Sequence, residues 1–181
     1  RTAEDVQRVA RQYLTDDRAI AMRYLQADEQ NPPSEVQEVF TAPVTLAANA
    51  TIASDVGTFT ISNASGISGA GFSLTLGGAG DGSVTGALGI GSGALTKTGN
   101  NTLTLSESGN TFTTLAVNLG VLRLGNAAAL GGTADSTTIS SGAVLDLNGF
   151  SVGAEPLSIT GAGFGGSGTI TGRGTVTSLG A

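Results

Sequence analysis

Residues 102–105 read Thr-Leu-Thr-Leu, and the same alternation of a polar with an apolar side chain recurs down most of the chain. Successive side chains of a strand point to opposite faces, so alternation over a few residues is the pattern of a half-buried strand. It predicts short strands at 44–46, 57–62, 72–76, 83–85, 94–97, 102–105, 115–117, 121–124, 137–139, 144–147, 157–160, 168–171 and 175–179. Gly and Asn separate these runs and supply the backbone conformations that corners need. The densest stretch is 93–132. There Leu95, Leu103, Leu105, Val121, Leu122 and Leu124 give apolar rows, and Thr96, Thr98, Thr102 and Thr104 give polar strand formers.

Two apolar residues flanking one other residue mark Phe59/Ile61, Leu74/Leu76, Leu103/Leu105, Leu122/Leu124, Leu145/Leu147 and Leu157/Ile159. Their separations of 15, 29, 19, 23 and 12 residues are too irregular for a strict array and fit a solenoid with variable corners. In such a coil each strand pairs with the one a full turn away and the alternate apolar side chains stack inside. At roughly 20 to 25 residues per coil, residues 44–181 make about six coils. A two-sheet sandwich is disfavoured, because strands this short, with few aromatic anchors, would give a poor core. The expected fold class is mainly β, a parallel β-helix (β-solenoid) with a short N-terminal helix-strand segment. Asn148-Gly149, where both residues tolerate positive φ, is expected as a type I′ hairpin turn joining 144–147 to 150–152.

The start of the chain is patterned differently. Val6, Val9, Ala10, Tyr13 and Leu14 form one apolar stripe at helical spacing, with Asp5, Arg8, Arg11 and Gln12 on the other face. Thr2-Ala3-Glu4-Asp5 is a capping-box-like start, Thr15-Asp16-Asp17 breaks the helix, and 19–25 alternates as a strand with Ile20, Met22 and Tyr24 inward. Pro32, Pro33 and Pro43 then forbid regular helix. The expected organisation is a helix-strand remnant at 1–30, a Pro-containing linker at 31–43 and a β-solenoid at 44–181.

Composition sharpens the boundary and narrows the chemistry. Residues 1–40 hold 13 of the 22 charged residues and no Gly, whereas Gly, Thr, Ser, Ala, Leu and Val dominate from Thr41 onward. Gly at 29 of 181 is about double ordinary usage and charged residues at 12% about half, which argues against a globular enzyme core over most of the chain. With no Cys and no His, thiolate and imidazole catalysis, disulfides and the zinc and haem sites built on those ligands are removed. The net charge of −6 and the scattered basic residues leave no footprint for nucleic acid. No apolar run is long enough for a transmembrane helix, and 1–30 lacks the pattern of a signal peptide, so any export signal is expected upstream of Arg1.

TAEDVQRVARQYLTDDRAIAMRYL, at 2–25, resembles the final helix and strand of a pitrilysin or insulinase-like zinc peptidase domain. That family's zinc site is an inverted His-x-x-Glu-His motif, and this chain has no His, so no catalytic residue carries over. The run GALTKTGNNTLTLSESGNTFTTLAVNLGVLRLGNAAALGG, continued by ISSGAVLDLNG, resembles the autotransporter-associated β-strand repeat of bacterial passenger regions. The likeness is tight across 93–149 and extends over about 51–181. Phe112-Thr113-Thr114-Leu115 stands where that family usually has a Gly-rich turn. The resemblance implies a right-handed parallel β-helix exposed outside a bacterial cell.

Candidate chemistry is sparse. Gly161 to Gly166 matches G-x-G-x-x-G, but a strand pattern follows where a phosphate site needs a helix. Gly77 to Gly82 is similar to a calcium-binding nonapeptide repeat, with Asp81 displaced by one residue and only one copy. Glycan cleavage needs paired carboxylates, whereas Asp55, Asp81, Glu107, Asp135, Asp146 and Glu155 are scattered singly, with only Asp146 inside a predicted strand. Thr pairs at 58/60, 96/98, 102/104, 111/113, 169/171 and 175/177 are expected as outward ladders, and Asn49, Asn63 and Asn100 begin chance glycosylation sequons. Lys97 reads as a lone outward charge that discourages edge pairing.

The expectation is a noncatalytic spacer or display segment of a secreted or cell-surface bacterial protein, with no catalytic, cofactor-binding or metal residues and no cofactor. Host-surface or glycan ligands, other surface proteins and end-to-end self-association are the partner classes, with no nucleic acid. The alternative is the C-terminal fragment of a zinc metallopeptidase carrying an appended solenoid, which a continuous upstream frame containing His-x-x-Glu-His would identify.

Overall fold

The computed structural model describes residues 37–132 and 136–160 and the strand backbone at 169–171. The helix and strand expected within 1–30, the Gly161 to Gly166 motif, Asp135 and the strand at 175–179 lie outside these residues.

The chain winds as a parallel β-solenoid. After β1 (Gln37–Phe40), three coils carry three strands each: β2 (Val44–Leu46), β3 (Ala50–Ser54) and β4 (Thr58–Ile61), then β5 (Ile67–Gly69), β6 (Leu74–Gly78) and β7 (Asp81–Val84), then β8 (Leu88–Gly89), β9 (Ala94–Lys97) and β10 (Thr102–Leu105). Later coils carry two: β11 (Thr114–Val117) and β12 (Gly120–Leu124), β13 (Ser136–Ile139) and β14 (Ala143–Asp146), β15 (Leu157–Ile159) and β16 (Thr169–Thr171). The first sheet runs β1-β4-β7-β10-β12-β14-β16, the second β3-β6-β9-β11-β13-β15 and the third β2-β5-β8. That gives about six turns, at the predicted coil length.

The uneven spacing of the apolar pairs has a simple cause. Phe59/Ile61, Leu103/Leu105, Leu122/Leu124 and Leu145 belong to the first sheet, whereas Leu74/Leu76 and Leu157/Ile159 belong to the second. Within the first sheet alone the register runs Phe59, Gly82, Leu103, Leu122, Leu145, in steps of 23, 21, 19 and 23 residues. The coil is nearly regular, and the corners absorb the difference.

The interior is a set of rows along the rod. Phe40, Ile61, Val84, Leu105 and Leu124 make one, and Leu74, Leu95, Leu115, Thr137 and Leu157 another. Side-chain volumes compensate between coils. Gly82 lies in register between Phe59 and Leu103, and a Cβ there would run into the Phe59 ring and lie 3.0 Å from Leu103 Cδ1. The ring thus fills the space that a larger residue 82 would need.

Four strands were not expected. β1 lies within 31–43, the stretch read as linker, and pairs along its length with β4. β3 has one large inward side chain, Ile52, and β5 and β8 are too short to alternate visibly. The third sheet ends after β8 with a single bridge, Gly89 to Thr111. There Asn110 stands in for backbone: its Oδ1 accepts from Leu88 N at 2.9 Å and its Nδ2 donates to Ala129 O at 2.8 Å. A side-chain amide offers the same donor and acceptor as a peptide group, so the buried ladder groups stay satisfied where the strand is missing.

The expected hairpin at Asn148-Gly149 is corrected. Both residues have positive φ, 49° and 84°, and Phe150 N donates to Leu147 O at 2.8 Å, so the tight turn is present. It turns a corner instead of reversing a strand, because β14 pairs in parallel with β12 and β16.

Candidate functional site

The most unusual group in the rod is Lys97, the sole lysine of the chain. It ends β9, where alternation turns Leu95 and residue 97 inward and Ala94 and Thr96 outward. Lys97 lies in register with Leu76 and Val117, in an otherwise aliphatic row, and is 0% exposed. The expectation of an outward, solvated charge is therefore overturned. Strand parity already contained the answer: if Leu95 is inward, so is residue 97.

The ammonium is held entirely by oxygen. Lys97 Nζ donates to Thr98 O at 2.9 Å, Gly99 O at 2.9 Å, Asn101 Oδ1 at 2.7 Å and Leu119 O at 3.0 Å. Asn101 is itself buried, and its Nδ2 donates to Gly80 O at 2.7 Å. Gly80 precedes β7 and Leu119 precedes β12, so the cluster ties three successive coils. Its corner is shaped by Gly78, Gly99 and Gly120, with φ of 111°, 77° and 72°. A Cβ on Gly99 would strike Gly78 O and one on Gly120 would strike Gly99 O, so the backbones stack here as only glycine permits.

Burial lowers the Lys97 pKa from 10.5 to about 8, and the Asp81 carboxylate pulls it partly back. The ammonium still carries its proton at neutral pH, which gives it donors but no nucleophilic lone pair. Acetylating reagents applied to the native chain should therefore modify the α-amine and leave Lys97 about 100-fold slower, as expected for a group reached only through opening of the surrounding coils. Peptide mass mapping before and after urea checks this, and equal labelling in both states would contradict the buried position.

The carboxylates read from the sequence are not brought together. Asp81 Oδ1 accepts from Thr102 N at 2.7 Å, and Asp146 pairs with Arg123 at 2.8 Å on the outer face of the first sheet. Glu107 accepts from Ser108 N, Ser108 Oγ and Gly109 N, and these bonds lower its pKa. Asp55 is exposed at a corner. Glu155 is buried and accepts from Thr137 Oγ1 at 2.7 Å, an inward pair invisible to a search for clustered acids. Asp81 joins Asp146 as a strand residue, since β7 begins two residues before the predicted 83–85. Among the described residues no three acidic side chains gather as a metal site would require. The turn from Gly77 to Gly82 links β6 to β7 as a corner.

The Thr ladders are present in part. Thr51, Thr75 and Thr96 are in register on the outer face of the second sheet, Ala116 interrupts them, and Thr138 and Ser158 follow. Of the sequon asparagines, Asn63 is buried, and Asn49 Oδ1 accepts from Ser73 N at 2.9 Å, bridging two coils.

The chain is similar to the adhesin BmaC autotransporter of Brucella suis biovar 1 (strain 1330), with 41% identity over 73 residues. The match covers 40% of this chain and 2% of that protein, so the chain spans a small fraction of the relative's length. No family model and no solved structure matches it.

Proposed function

We propose that residues 37–171 are a noncatalytic spacer and display rod within an autotransporter-type passenger at the surface of, or secreted by, a bacterium. The observation that carries this reading is the unbroken interior of the solenoid. Coil after coil the inward positions are filled by packing side chains, and Lys97, Asn101, Asn110, Thr137 and Glu155, polar side chains that enter the core, are bonded to other parts of the rod. Of the described buried side-chain polar atoms, Asn63 Oδ1 alone lacks a partner. Each described carboxylate with a bonding partner serves a corner, a neighbouring strand or a buried hydroxyl. Parallel stacking at about 4.8 Å per coil makes the length of such a rod a multiple of its coils. The similarity to an autotransporter adhesin supports the surface setting.

The reading separates holding from binding. The purified chain is expected to show no saturable binding to cells, matrix proteins or neutral glycans. Deleting one whole coil, residues 58–80, from the full surface protein should leave its adhesion intact, because the register places Asp81 where Thr58 stood. Saturable binding by the purified chain, lost on substitution of outward residues such as Thr96 or Arg123, would make it a binding module instead.

A further inference from the structure

Coils built from alternating Leu, Val, Ile and Thr have a problem of alignment. Sliding a strand by two residues keeps every apolar side chain inside, so burial alone does not choose between registers. Along β9 such a slide would bring residue 97 opposite Leu74 instead of Leu76 and Leu95 opposite Phe72, which also packs against the core, so apolar contact is kept.

Lys97 is different. Its ammonium finds acceptors only where the 98–101 corner and Leu119 converge. Displaced by two residues toward Leu74, it would sit between aliphatic rows with its charge uncompensated, which a buried ammonium tolerates poorly. We propose that Lys97 is the register key of the solenoid: a buried ammonium, held by oxygens that link three successive coils, which admits only one alignment of β9 and β10 at some cost in stability. A polar side chain in an apolar seam fixes alignment in the same way in coiled coils. The lowered pKa supports the cost, since burial disfavours the charge that the geometry nonetheless retains.

The surroundings of the ammonium are otherwise neutral. β6, β10 and β11 carry no titratable side chain, β7 brings Asp81, and β12 brings only Arg123, which points outward to Asp146.

Amide NMR spectra of the full chain and two variants test the proposal. The wild type should give one set of cross-peaks. K97M should unfold cooperatively in urea but show a second set for residues 94–105, at about a tenth of the main intensity. N101A keeps the ammonium while removing one acceptor and the tie to Gly80; it should lose stability and keep one set. A single set in K97M would overturn the proposal, as would the same doubling in N101A, which would assign alignment to the corner bonds instead. Failure of K97M to show a cooperative transition would also overturn it, by making Lys97 a requirement for folding itself.

Discussion

Phe59→Ala is expected to destabilise the solenoid by about 3–5 kcal/mol, and the two changes Phe59→Ala and Gly82→Leu together should cost far less than their separate effects added. Phe59 is 2% exposed, and its ring occupies the inward space above Gly82 of the following coil. Truncation leaves a void that the two flanking strands cannot close without breaking the parallel ladder that fixes their separation. Gly82→Leu alone drives a side chain into that ring and toward Leu103, an overpacking expected to cost about 3 kcal/mol because both neighbours are held in register. In the double variant the new leucine enters the vacated space. A coupling of at least about 2 kcal/mol in a double-mutant cycle, read from urea midpoints, is the expected result. Additive effects would show that the two positions do not share one packing volume.

The same pair of residues shows how far the sequence could be read. Alternation located most of the observed strands, and β9 and β10 fall on the predicted residues. This works because inward and outward positions of a half-buried strand differ in chemistry. It fails where one side is nearly empty, as at Gly82, or where the strand spans two residues, as in β8. The corners were legible as breaks but not as chemistry. Asn110 supplies the hydrogen bonds of a missing strand, and Asn101 anchors an ammonium, yet both read only as turn residues. Lys97 reads as outward only when its charge is weighted above the parity of β9, which turns it inward with Leu95. A lysine at an inward position is costly enough that its partners must be close in space. Three of the four oxygens come from the next four residues, and the fourth, on Leu119, is visible only once the coils are stacked.

The stability of the chain should rise, not fall, as the pH is taken from neutrality into the alkaline range. Lys97 has a folded pKa of about 8 against 10.5 for the free side chain. Below pH 8 both folded and unfolded chains hold the proton, and the cost of burying the charge is fully present. Between pH 8 and 10.5 the folded chain has released the proton while the unfolded chain keeps it. Stability increases with pH wherever the unfolded state binds more protons, so this window carries a positive slope. Over the full window the gain is on the order of 3 kcal/mol, and between pH 7 and 9.5 about 2 kcal/mol. The Asp81 carboxylate favours the charged form of Lys97, so Asp81→Asn should move the rise to lower pH. The chain suits the measurement because it has no other lysine and no cysteine, and stopping at pH 9.5 avoids most tyrosine ionisation. Urea midpoints taken at half-unit steps should climb across this range in the wild type and stay level in Lys97→Met. A wild-type midpoint that falls from pH 8 to 9.5, or a rise that persists in Lys97→Met, would show that the ammonium is not the group linking this rod to pH.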